Sequence, residues 1–227
     1  MGTPERINVA KRIVEGNKKP CIVVVSALQG VTDQLLSLCQ MARTRTETYR
    51  DYLETLLQQH IELVNELIPS RRQSSVLANI RSTFNDLEYS LYGIYLLREL
   101  TPKAQDYILS FGERLSSFIV SHVIDDAVWI DSRELVRTNN DFGKAKVDFE
   151  ATDRLIADRF KDFSGIAVIP GYIGSTASDE TTTLGWGGSD YTSSIVAAAL
   201  NVSILEIWTD VDGFMTADPK VVDKAYP

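Results

Sequence analysis

Histidine and cysteine are scarce in this chain, with two of each in 227 residues. Cys21 and Cys39 lie in apolar surroundings and in no metal-ligand spacing, so they read as two buried thiols in a reducing compartment. His60 and His122 fall within helical patterns, and no Ser/His/Asp constellation is present. Positive charge is short as well. The net charge is -8 and the pI about 4.9, which gives no electrostatic footprint for nucleic acid or an anionic membrane. No apolar run approaches the roughly 20 residues of a membrane span. The opening MGTPERINVAKR lacks the apolar region of a secretory signal, and Arg6 stands where myristoylation requires Ser or Thr. Internal repeats, low-complexity segments and flexible linkers are absent. These absences leave a cytoplasmic protein without nucleic-acid or membrane partners.

What is present is ordinary globular composition, 44% hydrophobic and 24% charged, enough for one large α/β domain or two small ones. Thr3-Pro4 reads as the cap and first residue of a helix that Gly16 stops. PCIVVVSA, residues 20–27, is too apolar to alternate and suits a strand buried on both faces of a parallel sheet. A helix capped by Thr32 or Asp33 follows, then helices over about 46–68, 73–100 and 101–124. AVWID at 127–131 reads as a strand and Lys146 to Phe149 as a weaker one. Beyond them come a helix at 152–160, a strand and turn in GIAVIPGYIG, an alanine-rich helix at 190–200 and a strand in SILEIW at 203–208. Strands alternating with helices predict a mostly parallel sheet covered on both faces, a three-layer α/β/α sandwich. The charged helical stretch from 40 to 105 reads as an elaboration on that sheet.

In an open parallel sheet, ligands bind at the carboxyl ends of the strands. SALQGVTD, GYIGST and TDVDGF each leave such an end, and each alone is an ordinary strand-to-helix turn. Several small-hydroxyl, glycine and aspartate turns on one edge predict an anion or nucleotide crevice. TLGWGGSDYTSS, residues 183–194, sharpens that expectation. Its glycines let the backbone approach a ligand, and the helix start favours an anion. In FGERLSS, Glu113 lies within a strongly apolar helix, where a carboxylate needs a cation. That partner is either a residue of the protein, such as Arg114, or a ligand amine.

SALQGVTDQLL, LRELTPKAQDYILSFGERLSS, TLGWGGSDY and WTDVDGFMTADPK occur in this order over nearly the whole chain. Together they resemble the catalytic domain of an aspartokinase, in the amino acid kinase superfamily, and most of all the bifunctional aspartokinase–homoserine dehydrogenases. The resemblance implies an amino acid kinase fold, with residues 1–165 as the amino-acid lobe and 166–227 as the start of the nucleotide lobe. Its implied activity is phosphorylation of aspartate by ATP with Mg2+, at the head of lysine, threonine and methionine synthesis, in a homo-oligomer. Ser26, Thr32 and Glu113 match positions facing aspartate, with Glu113 on the amino group. Gly187, Gly188, Ser189 and Asp190 match the loop between substrate and phosphates, with Ser189 and Asp190 as the catalytic pair. Thr209, Asp210, Phe214, Asp218 and Lys220 match the nucleotide segment.

Two departures from the family pattern stand out. The resemblance leads one to expect a strand and a Lys-Phe-Gly-Gly phosphate loop before the segment like GTPERI, and further helices and regulatory domains after Pro227. The fold is therefore expected to be incomplete and the activity impaired, since such a lysine is worth roughly 3–4 kcal/mol. Trp186 stands where the family has an arginine that forks onto the α-carboxylate of aspartate. Indole offers one N–H and no charge. Losing one partner of a desolvated charge pair costs about 2–5 kcal/mol. The same features suit a non-catalytic nucleotide-binding module of the same fold.

Overall fold

The computed structural model describes residues 2–17, 20–185 and 187–208. Helix α1, Pro4–Gly16, starts as its sequence dictates: the Thr3 hydroxyl accepts the Arg6 N–H, and Pro4 occupies the first turn. Strand β1, Cys21–Val25, then enters the sheet. Helix α2, Val31–Arg43, begins behind Gly30 at φ 80, with no side-chain cap. Thr32 and Asp33 thus lie in its first turn and do not cap it. The left-handed glycine starts the helix earlier than the hydroxyl and carboxylate suggested.

Helices α3, Tyr49–Leu67, and α4, Ser70–Leu97, are separated by the break at Pro69. Helix α5, Pro102–Val123, repeats the opening of α1, with the Thr101 hydroxyl accepting the Ala104 N–H at 3.1 Å. Strand β2, Ala127–Trp129, a 3-10 turn at Ser132–Glu134 and helix α6, Phe149–Phe160, lead to strand β3, Ile166–Pro170. Strands β4, Ile173–Ser175, and β5, Thr181–Thr183, form an antiparallel hairpin, and helix α7, Gly188–Ala199, follows.

The main sheet has the order β1-β3-β2, all parallel, with Val25 opposite Pro170 and Trp129 opposite Val168. Side chains alternate across it. Val23, Val25 and Val168 meet one core, built with α1 to α5. Ile22, Val24, Ala167 and Ile169 meet a second core, completed by α6 and α7. Both faces are covered, which is why the strand sequences run apolar without alternation. Helices α3 and α4 share the first core with α2 and α5 through Leu53, Leu56, Val76, Leu87 and Leu91.

Two expected strands do not form. Val147 makes a single bridge to Thr138, and Asp148 instead caps α6 by accepting the Ala151 N–H, so Phe149 is helical. Residues 203–208 form no ladder among the described residues. Ile204 and Trp208 are each 69% exposed. The order β1-β3-β2 leaves the outer edges of β1 and β2 open, yet the apolar run pairs with neither among the described residues.

Candidate functional site at the strand exits

The chain leaves β1 through Ser26 and Ala27, directly beneath α5. A Cβ on Gly112 would lie 2.9 Å from the Ala27 Cβ, so only glycine admits this approach. The close crossing brings the next residue, Glu113, to the β1 exit, where the Ala27 backbone N–H hydrogen-bonds its carboxylate. Ser116, on the same helix, donates its hydroxyl to the Ser26 carbonyl at 2.7 Å. Glu113 is 4% exposed, and its Oε2 has no hydrogen-bond partner. Burial pushes its pKa up to about 7, against the pull of the Ala27 N–H and its own backbone amide. Arg114 is not its counterion. The Arg114 guanidinium lies over the Phe111 ring at 4.6 Å, bonds Tyr107, and feels the Asp131–Arg133 pair.

The β3 exit lies alongside. The Gly171 N–H donates to the Val25 carbonyl at 2.8 Å, tying the two exits together. Tyr172 follows at φ 67, a left-handed conformation that costs a tyrosine roughly 1–3 kcal/mol. Its N–H donates to the Thr192 hydroxyl at 3.0 Å, and its carbonyl accepts the Leu184 N–H at 2.8 Å. Burial raises the pKa of its phenol, which interacts with the Thr183 hydroxyl and with the carboxylates of Glu113 and Asp106.

Helix α7 points its N-terminus at the same place. Gly187 at φ 74 turns the chain into it without a side-chain cap. A Cβ on Gly188 would sit 2.5 Å from Tyr172 Cδ2, and one on Gly171 2.6 Å from Ser189 Oγ. The first turn of α7 is thus packed onto the β3 exit by two glycines. Both α2 and α7 start at left-handed glycines and carry no side-chain cap. Such starts offer backbone N–H groups and the positive end of the helix dipole to an anion. A buried acceptor lacking a partner and two helix starts suited to anions together fit a ligand carrying an ammonium and negative groups.

Of the expected site residues, Ser26 and Glu113 stand at the β1 exit, with Thr32 in the first turn of α2, half-buried. Gly187, Gly188 and Ser189 stand at the β3 exit. Asp190 is exposed in the first turn of α7, and its carbonyl accepts the hydroxyls of Ser193 and Ser194. Trp186, Thr209, Asp210, Phe214, Asp218 and Lys220 lie outside the described residues. Tyr172, Gly112, Gly171 and Asp106 belong to the arrangement without having been singled out from the sequence. The signal for Asp106 was its place seven residues before Glu113 on one helix. Among the described residues, no cluster of His, Cys, Asp or Glu could hold a metal ion. Cys39 is buried and Cys21 half-buried, both as free thiols. No described helix is long and apolar enough to cross a membrane.

An open parallel sheet with its candidate site at the strand exits and glycine-led helix starts is an α/β architecture of the kind that binds ligands at the carboxyl ends of its strands. The match is specific: residues 2–227 fit the model of the amino acid kinase family, and the chain belongs to that family.

Within it, the similar relatives are aspartokinases. The chain is 31% identical over 232 residues to the chloroplastic bifunctional aspartokinase/homoserine dehydrogenase 2 of Arabidopsis thaliana, covering 99% of this chain and 25% of that one. It is 31% identical to the lysine-sensitive aspartokinase 3 of Escherichia coli, covering 97% of this chain and 49% of the relative. The solved structure of Escherichia coli aspartokinase III with aspartate and ADP matches at a TM-score of 0.85 and 30% identity, over 99% of this chain and 51% of that one. This chain therefore spans a quarter to about half the length of these relatives.

Proposed function

We propose that this chain is the catalytic part of an aspartate kinase. An oxygen of the β-carboxylate of L-aspartate attacks the γ-phosphorus of MgATP, the bond to the β,γ-bridging oxygen breaks, and β-aspartyl phosphate and ADP result. The observation that carries this reading is the buried, unpaired Oε2 of Glu113 at the β1 exit, with the uncapped start of α7 packed onto the adjoining β3 exit. The acceptor fits the α-ammonium, and the helix start fits a carboxylate or phosphate.

The attacking carboxylate is ionised at pH 7 and needs no general base. Catalysis is then a matter of positioning and charge neutralisation. Glu113 fixes the ammonium, Ser26, Thr32 and Ser189 face the substrate with their hydroxyls, and the Gly187–Gly188 turn presents N–H groups between aspartate and the phosphates. Asp190 stands beside Ser189 at the same helix start. Thr209, Asp210, Phe214, Asp218 and Lys220 receive the nucleotide in this reading. Magnesium arrives bound to the triphosphate. Residues 1–165 then serve as the amino-acid lobe and 166–227 as the nucleotide lobe. The reaction opens lysine, threonine and methionine synthesis in a cytoplasmic homo-oligomer. Support comes from the aspartate and ADP named for the similar Escherichia coli structure.

One observation favours a second reading, a nucleotide-binding module without phosphotransfer. Trp186 takes the place of the arginine that would grip the α-carboxylate. Incubating the chain with ATP, aspartate and hydroxylamine, alongside calorimetric titration of each ligand, separates the two. Aspartate-dependent hydroxamate supports the kinase. Nucleotide binding with neither aspartate binding nor hydroxamate establishes the module instead.

A further inference from the structure

The reaction outlined above gives no task to a second buried carboxylate near the site. Asp106, in the second turn of α5, is 0% exposed. Its Oδ2 accepts the N–H of Gly143 at 2.8 Å and that of Thr183 at 3.0 Å, and its Oδ1 accepts the Thr183 hydroxyl at 2.8 Å. All three donors are neutral, and none of the ion pairs formed among the described residues includes Asp106. A buried carboxylate held by dipoles alone is a costly way to build a core. It is retained where two oxygens must gather donors from separate segments.

The segments it gathers are informative. Thr183 ends β5, Leu184 and Gly185 follow it, and Gly187 leads into α7 at Gly188. The Thr183 carbonyl accepts the Ala145 N–H at 3.1 Å, and the Leu184 N–H donates to the Tyr172 carbonyl. The root of the glycine turn is thus clamped by α5, by the loop carrying Gly143 and by the β3 exit. Asp106 and Glu113 are seven residues apart, about two turns and about 10 Å of rise, on one side of one helix.

We infer that Asp106 is a positioning residue: through Thr183 it fixes the end of β5, and with it the Gly187–Gly188 start of α7, at a set separation from Glu113. One rigid helix then carries both the acceptor for the ammonium and the anchor for the turn that meets the negative groups. An asparagine in this place removes the charge; with its oxygen on the two backbone N–H groups, its N–H2 faces the Thr183 hydroxyl, which must accept instead of donate, and the clamp is weakened.

The ligand-binding half of this inference rests on the aspartate kinase reading, whereas the clamp itself does not, so two measurements are made on the full chain. Hydrogen exchange compares the wild type with Asp106→Asn and with the milder Thr183→Val, which keeps the backbone bond to Asp106 but removes the hydroxyl that meets both Asp106 and the Tyr172 phenol. The expected result is faster exchange, by about tenfold or more, confined to residues 183–190 and the Gly143 loop, with α3 and α4 unchanged. Titration of the folded proteins with aspartate is expected to show affinity weakened by about tenfold or more in Asp106→Asn and less in Thr183→Val.

A merely structural carboxylate would instead lower the melting midpoint, raise exchange throughout the first core, and leave the affinity of the folded fraction unchanged. That pattern overturns the inference. Absence of aspartate binding in the wild type would defeat the kinase reading, and the local or global pattern of exchange would still decide the role of Asp106. Should Asp106→Asn fail to fold, Thr183→Val gives the same comparison.

Discussion

The electrostatic state of Glu113 yields a prediction with its sign and size fixed by the structure. Burial raises its pKa from 4.5 to about 7, a penalty on the ionised form of about 3 kcal/mol. In the unliganded protein the folded state holds a proton that the unfolded chain releases. The stability contributed by protonated Glu113 is therefore full below pH 4.5 and lost as pH rises through about 7. A bound ammonium reverses the balance, because it favours the ionised carboxylate. Binding below pH 7 must then release a proton from Glu113, and apparent aspartate affinity should climb about tenfold between pH 6 and pH 8.

Calorimetry at pH 6 in buffers of different ionisation enthalpy counts that proton directly, with nearly one released per aspartate expected. In Glu113→Gln the amide oxygen still accepts the Ala27 N–H, while the charge is gone. The variant should bind aspartate about 30-fold more weakly or worse, without proton release, and its melting midpoint should lose the decline between pH 5 and pH 8. Succinate, which lacks the ammonium, should show no proton release with either protein. Flat wild-type affinity across this range with no proton released, or identical behaviour of Glu113→Gln, would refute the assignment of Glu113 to a ligand cation.

Two further substitutions test the site from other sides. In the aspartate kinase reading, Trp186→Arg supplies a bidentate donor for the α-carboxylate and should raise aspartate affinity by roughly 30-fold to several thousand-fold, read by titration; no gain would exclude a carboxylate at that position. Gly188→Ala places a Cβ 2.5 Å from Tyr172 Cδ2 and 3.0 Å from its Cα, so it should cost about 1–3 kcal/mol in melting experiments and weaken both ligands, and a neutral effect would show that α7 does not seat on the β3 exit.

Local chemistry made much of the fold legible. Thr3-Pro4 and Thr101-Pro102 announced two helix starts because a hydroxyl acceptor and a pre-set φ act within one turn. PCIVVV and GIAVIP announced buried strands because neither face could be polar. What failed was decided at a distance. Thr181 to Thr183 forms a strand only because Ile173 to Ser175 lies opposite, and no pattern of three threonines says so. SILEIW carries the composition of a buried strand without a described neighbour to bond. Among the site residues, Glu113 was legible as a carboxylate stranded in an apolar helix, but whether Arg114 neutralised it depended on where that guanidinium turned. Tyr172 was not legible at all, since the left-handed conformation it adopts normally belongs to glycine. Its strain is held by Thr192 and Leu184, which come from later in the chain.

The charge distribution limits what such a site accepts. The turns Ser26 to Asp33, Gly171 to Thr176 and Leu184 to Asp190 contain neither lysine nor arginine. Positive potential at these turns comes from the starts of α2 and α7, worth about half an elementary charge each. Against it stand Asp33 and Asp190 in those same first turns, and Glu113, which turns fully negative only as pH passes about 7. A bare polyanion would meet partial charges on one side and a carboxylate on the other. In the aspartate kinase reading, an amino acid would carry its own ammonium to Glu113, and a triphosphate chelating magnesium would bring its own cation. A site built this way gains most when both ligands are present, because each supplies a charge that the three turns do not.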